Sequence, residues 1–280
     1  MSTRKLEQVI ESQPSADGDG VRIHRIAGQH LNSRLDPFLM LDEIRSDDSA
    51  DYIGGFPPHP HRGFETITYM IQGRLRHTDH MGNEGVIESG DVQWMTAAHG
   101  VIHSEMPEQQ EGLMHGFQAW LNLPGQEKMK APAYRDIRAA DIPQIKTEQG
   151  VIVRVIAGDL SVDGRKTSGV VNGLTTEPVY LDISLPAQAS VQLDLTASHR
   201  VLVFVFEGQT DQLRTRQMGA YGTGEELVLT ANAQPTRLLV LAGKPLREPV
   251  VQYGPFVMNS QAEIQQAIAD YQSGRLTQLP

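Results

Sequence analysis

Four residues with metal-ligand chemistry occur as two pairs, each with one residue between its members. His59 and His61 lie in Gly54-Gly55-Phe56-Pro57-Pro58-His59-Pro60-His61-Arg62-Gly63, and His103 and Glu105 lie in Gly100-Val101-Ile102-His103-Ser104-Glu105. In a β-strand, residues i and i+2 project from the same face. Two such strands facing each other supply three imidazoles and one carboxylate. That set suits a divalent first-row metal: Fe, Mn, Co, Ni, Cu or Zn. Residues 62–102 have room for two or three further strands, so a small β-barrel brings the pairs together. Either pair alone is a weak signal, because a strand histidine is more often a half-buried surface residue. The combination constrains the chain to an all-β enclosure in this half.

The pattern HxHxxxE, a glycine at Gly73 and GxxH some thirty residues on resembles the two-part signature of the cupin superfamily. FPPHPHRGFETITYMIQG, GDVQWMTAAHGVIHSEMP and HGFQAWLNLP, with LDPFLMLDEI upstream and VQYGPFVMN downstream, are similar to the pirin family, whose members are bicupins. The resemblance runs from about Val21 to Asn259. It implies metal ligands at His59, His61, His103 and Glu105. Many metal cupins instead take the glutamate of HxHxxxE, here Glu65. The resemblance makes Glu65 a supporting partner, and Pro107 stands where many cupins carry Asn. Gln118, in Leu113–Leu123, is a candidate for hydrogen bonding inside the barrel.

The rest of the chain reads as strands separated by Gly, Pro and Asp turns. Val21–Ala27 alternates apolar and polar. Pro37–Asp42 is a short buried run, ended by Asp42 and Glu43 in a solvated loop. Leu6, Val9 and Ile10 read either as a strand that pairs with the barrel or as nothing ordered. His77 and His80 lie outside the site. Beyond Val151, strand-like stretches recur without HxH. Seven of the ten histidines lie between His59 and His115, and His199 alone lies beyond them, so metal chemistry belongs to the first half. Ser260-Gln261-Ala262-Glu263 is a capping-box pattern, and Ile264, Ile268 and Tyr271 recur at helical spacing. The expected architecture is therefore two cupin-type barrels with a C-terminal helix. Residues 1–130 form the metal-binding barrel, 131–247 a second barrel without a metal site, and 248–280 a return segment and helix.

With 280 residues the chain is comfortable for two domains. A net charge of -10 without basic runs argues against direct nucleic-acid contact. The absence of Cys excludes disulfides and thiolate zinc sites. No apolar leader or membrane-length stretch appears, so the expectation is a cytoplasmic protein. The resemblance implies one divalent metal, Fe(II) first, and a quercetin 2,3-dioxygenase type of reaction on a flavonol. Glu105 then serves as catalytic base. The alternative is a metal- or redox-sensing regulatory module acting through a protein partner.

Overall fold

The computed structural model describes residues 2–27 and 32–278. Contacts divide the chain into two units. One comprises Gln13–Asn32, Phe38–Ala139 and Arg247–Pro280, and the other Met1–Ser12, Ser33–Pro37 and Ala140–Leu246.

The unit that carries both ligand pairs has a seven-stranded antiparallel sheet. Its order is Ala133–Ile137, Val92–Thr96, Phe64–Gln72, Met114–Asn122, Phe38–Ser46, Val21–Ala27, Gln13–Asp17. A four-stranded sheet holds Phe56–His61, Val101–Pro107, Leu75–Asp79 and Glu84–Ile87. In the first sheet, Gln93, Thr68, Gln118, Asp42 and Arg25 are direct cross-strand partners in turn. They form one polar row across five strands. The second sheet places His59 opposite His103, with a register shift between His103 and Glu105. Pro58 and Pro60 fit because Phe56–His61 is the outermost strand of its sheet, where a missing N–H leaves no ladder bond unmade.

Asp42 and Glu43 depart from the expected solvated loop. Phe38–Ser46 continues as strand through both, and both are buried. Their charges find partners on neighbouring strands: Arg25 grips Asp42 with two bonds of 2.8 and 2.7 Å, and His115 Nε2 lies 3.1 Å from Glu43 Oε1.

After the ligand strand the chain turns at Gly63, where φ is +94° and an added Cβ would sit 1.9 Å from Val257 O. Only glycine accommodates both demands. The return strand Phe256–Met258 docks there, with Val257 N donating to Arg62 O at 3.0 Å. The helix Gln261–Gln272 follows, capped by Ser260, whose Oγ accepts from Glu263 N, and ends before Gly274 at φ +71°. Its buried face is Ile264 and Ala267, with Ile268 packed beside them. Tyr271, expected on that face, is 42% exposed. Arg62 anchors the helix through an ion pair of 2.8 Å with Asp270.

The other unit repeats a seven-plus-four arrangement. Its large sheet runs Leu6–Glu11, Gln217–Tyr221, Arg200–Glu207, Thr236–Gly243, Val179–Leu185, Ile152–Ala157, Gln144–Lys146. The N-terminal strand thus pairs with Gln217–Tyr221, not with the barrel that follows it in sequence. Arg4, buried, fixes it there by donating to the carbonyls of Thr196, His199 and Gly222. A cluster of Val, Leu, Ile and Ala side chains together with Tyr221 fills the interior. Among the described residues, no helix is long and apolar enough to cross a membrane.

Candidate metal centre

The strand spacing does what it must: His59, His61 and His103 converge, with their ligand nitrogens within 4.8 Å of one another. His59 Nδ1–H donates to Pro57 O at 2.8 Å. A carbonyl can only accept, so the neutral ring leaves its Nε2 lone pair bare, and this atom lies 3.0 Å from His61 Nε2. His61 and His103 are buried. Burial, then the neighbouring rings, push both imidazoles well below their ordinary pKa, His61 through His59 and His103 through His61, His59 and His77. Neutral imidazoles are the form that binds a metal. His103 Nε2 is buried with no hydrogen-bond partner. A buried bare nitrogen beside two more imidazoles is the environment that a borderline-soft divalent cation satisfies, so the donor set fits such an ion.

Glu105 lies two residues beyond His103 on the same strand and lines the same cavity, yet its carboxylate stands outside the close group of three. It is held from the large sheet. Thr68 Oγ1–H donates to Oε1 at 3.0 Å, and Gln118 Nε2 donates to Oε2 at 2.8 Å. The Gln118 amide has only one workable orientation. Trp120 Nε1–H, a donor only, gives its hydrogen to Gln118 Oε1 at 3.1 Å, which turns the NH₂ towards Glu105. Gln118, a candidate for hydrogen bonding inside the barrel, makes that bond to Glu105.

Glu65 is not brought to this group. Phe64–Gln72 is a strand in which Thr68 faces the cavity, so Glu65, three residues earlier, faces the other way. Its carboxyl accepts from Thr96 Oγ1 at 2.5 Å, and burial raises its pKa.

His77, left out of the site on sequence grounds, is buried behind His103, with the two Nδ1 atoms 3.3 Å apart. Leu75, His77 and Asp79 share a strand phase, and Leu75 points inward. That phase was the available signal.

His59, His61 and Glu105 open onto a cavity of about 650 Å³. Met40, Met70, Met114, Phe117 and Trp120 supply much of its wall. Arg25, Asp42 and Asp17 stand together on it, with Arg25 also bonded to Asp17 at 2.6 Å. Burial raises the Asp42 carboxyl against the opposing pull of Arg25.

The family model for pirin matches residues 20–121, and that for the pirin C-terminal cupin domain matches residues 180–277. The chain belongs to the pirin family. A Pseudomonas aeruginosa pirin relative, named as a putative quercetin 2,3-dioxygenase, is 49% identical over 98% of both chains. A pirin-like protein of Caulobacter vibrioides is 42% identical over 98% of this chain and 100% of its own. The solved structure of quercetin 2,3-dioxygenase from Acinetobacter baumannii superposes over 100% of both chains with a TM-score of 0.90 at 35% identity.

Proposed function

We propose that this pirin is a metal-dependent dioxygenase acting on a flavonol-like aromatic substrate, in the manner of a quercetin 2,3-dioxygenase. The observation that carries this reading is the three-imidazole cluster, two of whose rings line a cavity of about 650 Å³ walled largely by Met and aromatic side chains, within the usual size range for small-molecule sites. Relatives that bear that enzyme's name point the same way.

His59, His61 and His103 would hold one divalent ion, with Glu105 as the fourth donor; Fe(II) is the ion we assign. When bound, it supplies Lewis-acid and redox chemistry towards a chelating enol and dioxygen. The chain's own residues do the rest. The methionine and aromatic wall takes the flat rings and keeps water away from them. Glu105, oriented by Thr68 and Gln118, accepts the proton of the substrate 3-hydroxyl on an oxygen lone pair those donors do not use. Gln118, fixed by Trp120, keeps that carboxylate from rotating out of position. We place the protein in the cytoplasm.

The test is oxygen uptake with quercetin. Metal-loaded protein should consume oxygen and metal-free protein should not. Glu105→Gln should lose about 10²-fold or more in rate at equal metal occupancy, the size of a typical general-base contribution. Equal activity at equal occupancy would remove Glu105 from the mechanism. No uptake with any of the Fe-, Mn-, Ni-, Co- or Cu-loaded forms would favour the regulatory role over the enzyme.

A further inference from the structure

His103 is backed by two residues that no ligand motif includes. His103 Nδ1 faces His77 Nδ1 at 3.3 Å, and His77 Nε2 faces Asp79 Oδ2 at 3.5 Å. The side chains of His77 and Asp79 are out of reach of solvent. Asp79 is itself held by hydrogen bonds. Its Oδ1 accepts from the backbone N–H groups of Met81 and Asn83 at 2.9 and 3.0 Å, and its Oδ2 accepts from Asn83 Nδ2 at 2.8 Å. The His77 ring stacks on Tyr134, with centroids 4.7 Å apart at 29°. Tyr134 is pinned in turn by Asp136 and Gln93.

Proton placement in this line follows from one end. The Asp79 carboxylate can only accept, so His77 Nε2 carries the hydrogen. A neutral His77 then presents a bare Nδ1. The facing Nδ1 of His103 must therefore carry its own hydrogen and donate it. A neutral His103 so arranged has its lone pair on Nε2, the nitrogen that is buried without a partner.

We infer that His77 and Asp79 are positioning residues that lock His103 in the Nδ1–H form and aim its Nε2 at a divalent metal. The inference rests on the metal reading of the three-imidazole cluster and deepens it. The relay supplies what a ligating imidazole needs from behind: a fixed ring, a fixed tautomer and higher basicity at the metal-facing nitrogen. It also explains why a histidine and an aspartate are buried on a strand that carries no metal ligand.

The experiment uses the full chain, metal-free and loaded with Zn(II). Long-range ¹H–¹⁵N spectra of the metal-free protein should show hydrogen on His103 Nδ1 and on His77 Nε2. On loading, the His103 Nε2 signal should move while its Nδ1–H persists. Zn(II) affinity, read by competition with a chromophoric chelator at fixed pH, should fall about 10- to 100-fold in His77→Phe, which keeps a ring over Tyr134 but has no acceptor. His77→Gln should recover most of that loss, because its amide oxygen can accept from His103 while its NH₂ donates to Asp79. Wild-type affinity in His77→Phe, or His103 protonated on Nε2, would overturn the relay. If His77→Phe does not fold, the wild-type tautomers and the affinity of His77→Gln decide the matter. Zn(II) binding with the opposite tautomers would refute the relay alone. The stated tautomers without any Zn(II) binding would refute the metal reading, and the positioning role with it.

Discussion

The two units share a seven-plus-four strand arrangement and differ in what crosses the large sheet. In the first, the cross-strand row is Gln93, Thr68, Gln118, Asp42 and Arg25. In the second, the strands at the corresponding places in the order carry Gly219, Val203, Val240, Leu181 and Val155. The aliphatic row belongs to a continuous core that closes the interior. The polar row cannot collapse in that way, because every buried hydrogen-bonding group needs a partner at a set distance. Those partners come from the opposite sheet, as with Glu105, or from the next strand, as with Arg25 and Asp42. One strand arrangement thus encloses a packed apolar core in one unit and a cavity in the other.

The largest effect expected from this contrast is on metal content. His103→Ala should remove most of the bound metal, whereas His199→Ala should leave it in place. His199 sits in the second unit, bonded to Glu177 at 3.1 Å with no second imidazole grouped beside it among the described residues. Elemental analysis of protein purified without chelator reads both. Full metal content in His103→Ala would reject the ligand assignment.

Stability should separate the units next. Leu193 is fully buried in the aliphatic core, so Leu193→Ala should cost about 2–5 kcal/mol in chemical denaturation. Met114 is equally buried but lines the cavity, where space already stands on one side. Met114→Ala should cost less, since fewer packing contacts are lost. A larger loss at Met114 would show that the first unit is as tightly packed as the second.

How much of this contrast the sequence displayed depends on the range of the interactions involved. The convergence of His59, His61 and His103 was legible because strand geometry makes i, i+2 spacing a statement about direction. The histidine distribution set the second unit apart, because His199 alone lies beyond His115. Asp42 and Glu43 were misread as a loop because their justification lies in Arg25 and His115, on other strands. The pairing of Leu6–Glu11 with Gln217–Tyr221 joins segments about two hundred residues apart, and nothing local in the first segment names its partner. Glu65 was expected as a supporting partner, whereas alternation along Phe64–Gln72 turns it away from the cavity that Thr68 faces, onto Thr96. The helix cap was local and was read correctly, while its exposed Tyr271 depended on what the helix packs against.

The smallest effect concerns the helix Gln261–Gln272 of the first unit. Burial tends to raise the Asp270 carboxyl, but the hydrogen bonds from Arg62 and Gln266 outweigh it and hold the pKa below the ordinary value. A depressed carboxylate adds stability above its unfolded pKa of about 4 and loses it as pH falls through the folded value. Asp270→Asn should therefore destabilise the protein by about 1–3 kcal/mol at neutral pH, with the difference from wild type shrinking in acid. Thermal unfolding across pH 2–7 checks this, and a pH-independent difference would assign the effect to helix packing instead.

The central claim is that metal chemistry is confined to one of two like-built units. Anomalous diffraction at a metal absorption edge, on crystals of protein purified without chelator, tests it most directly. The account predicts one peak per chain, within bonding reach of His59, His61 and His103. A peak inside the second unit, or no peak beside those three imidazoles in metal-loaded crystals, would contradict it.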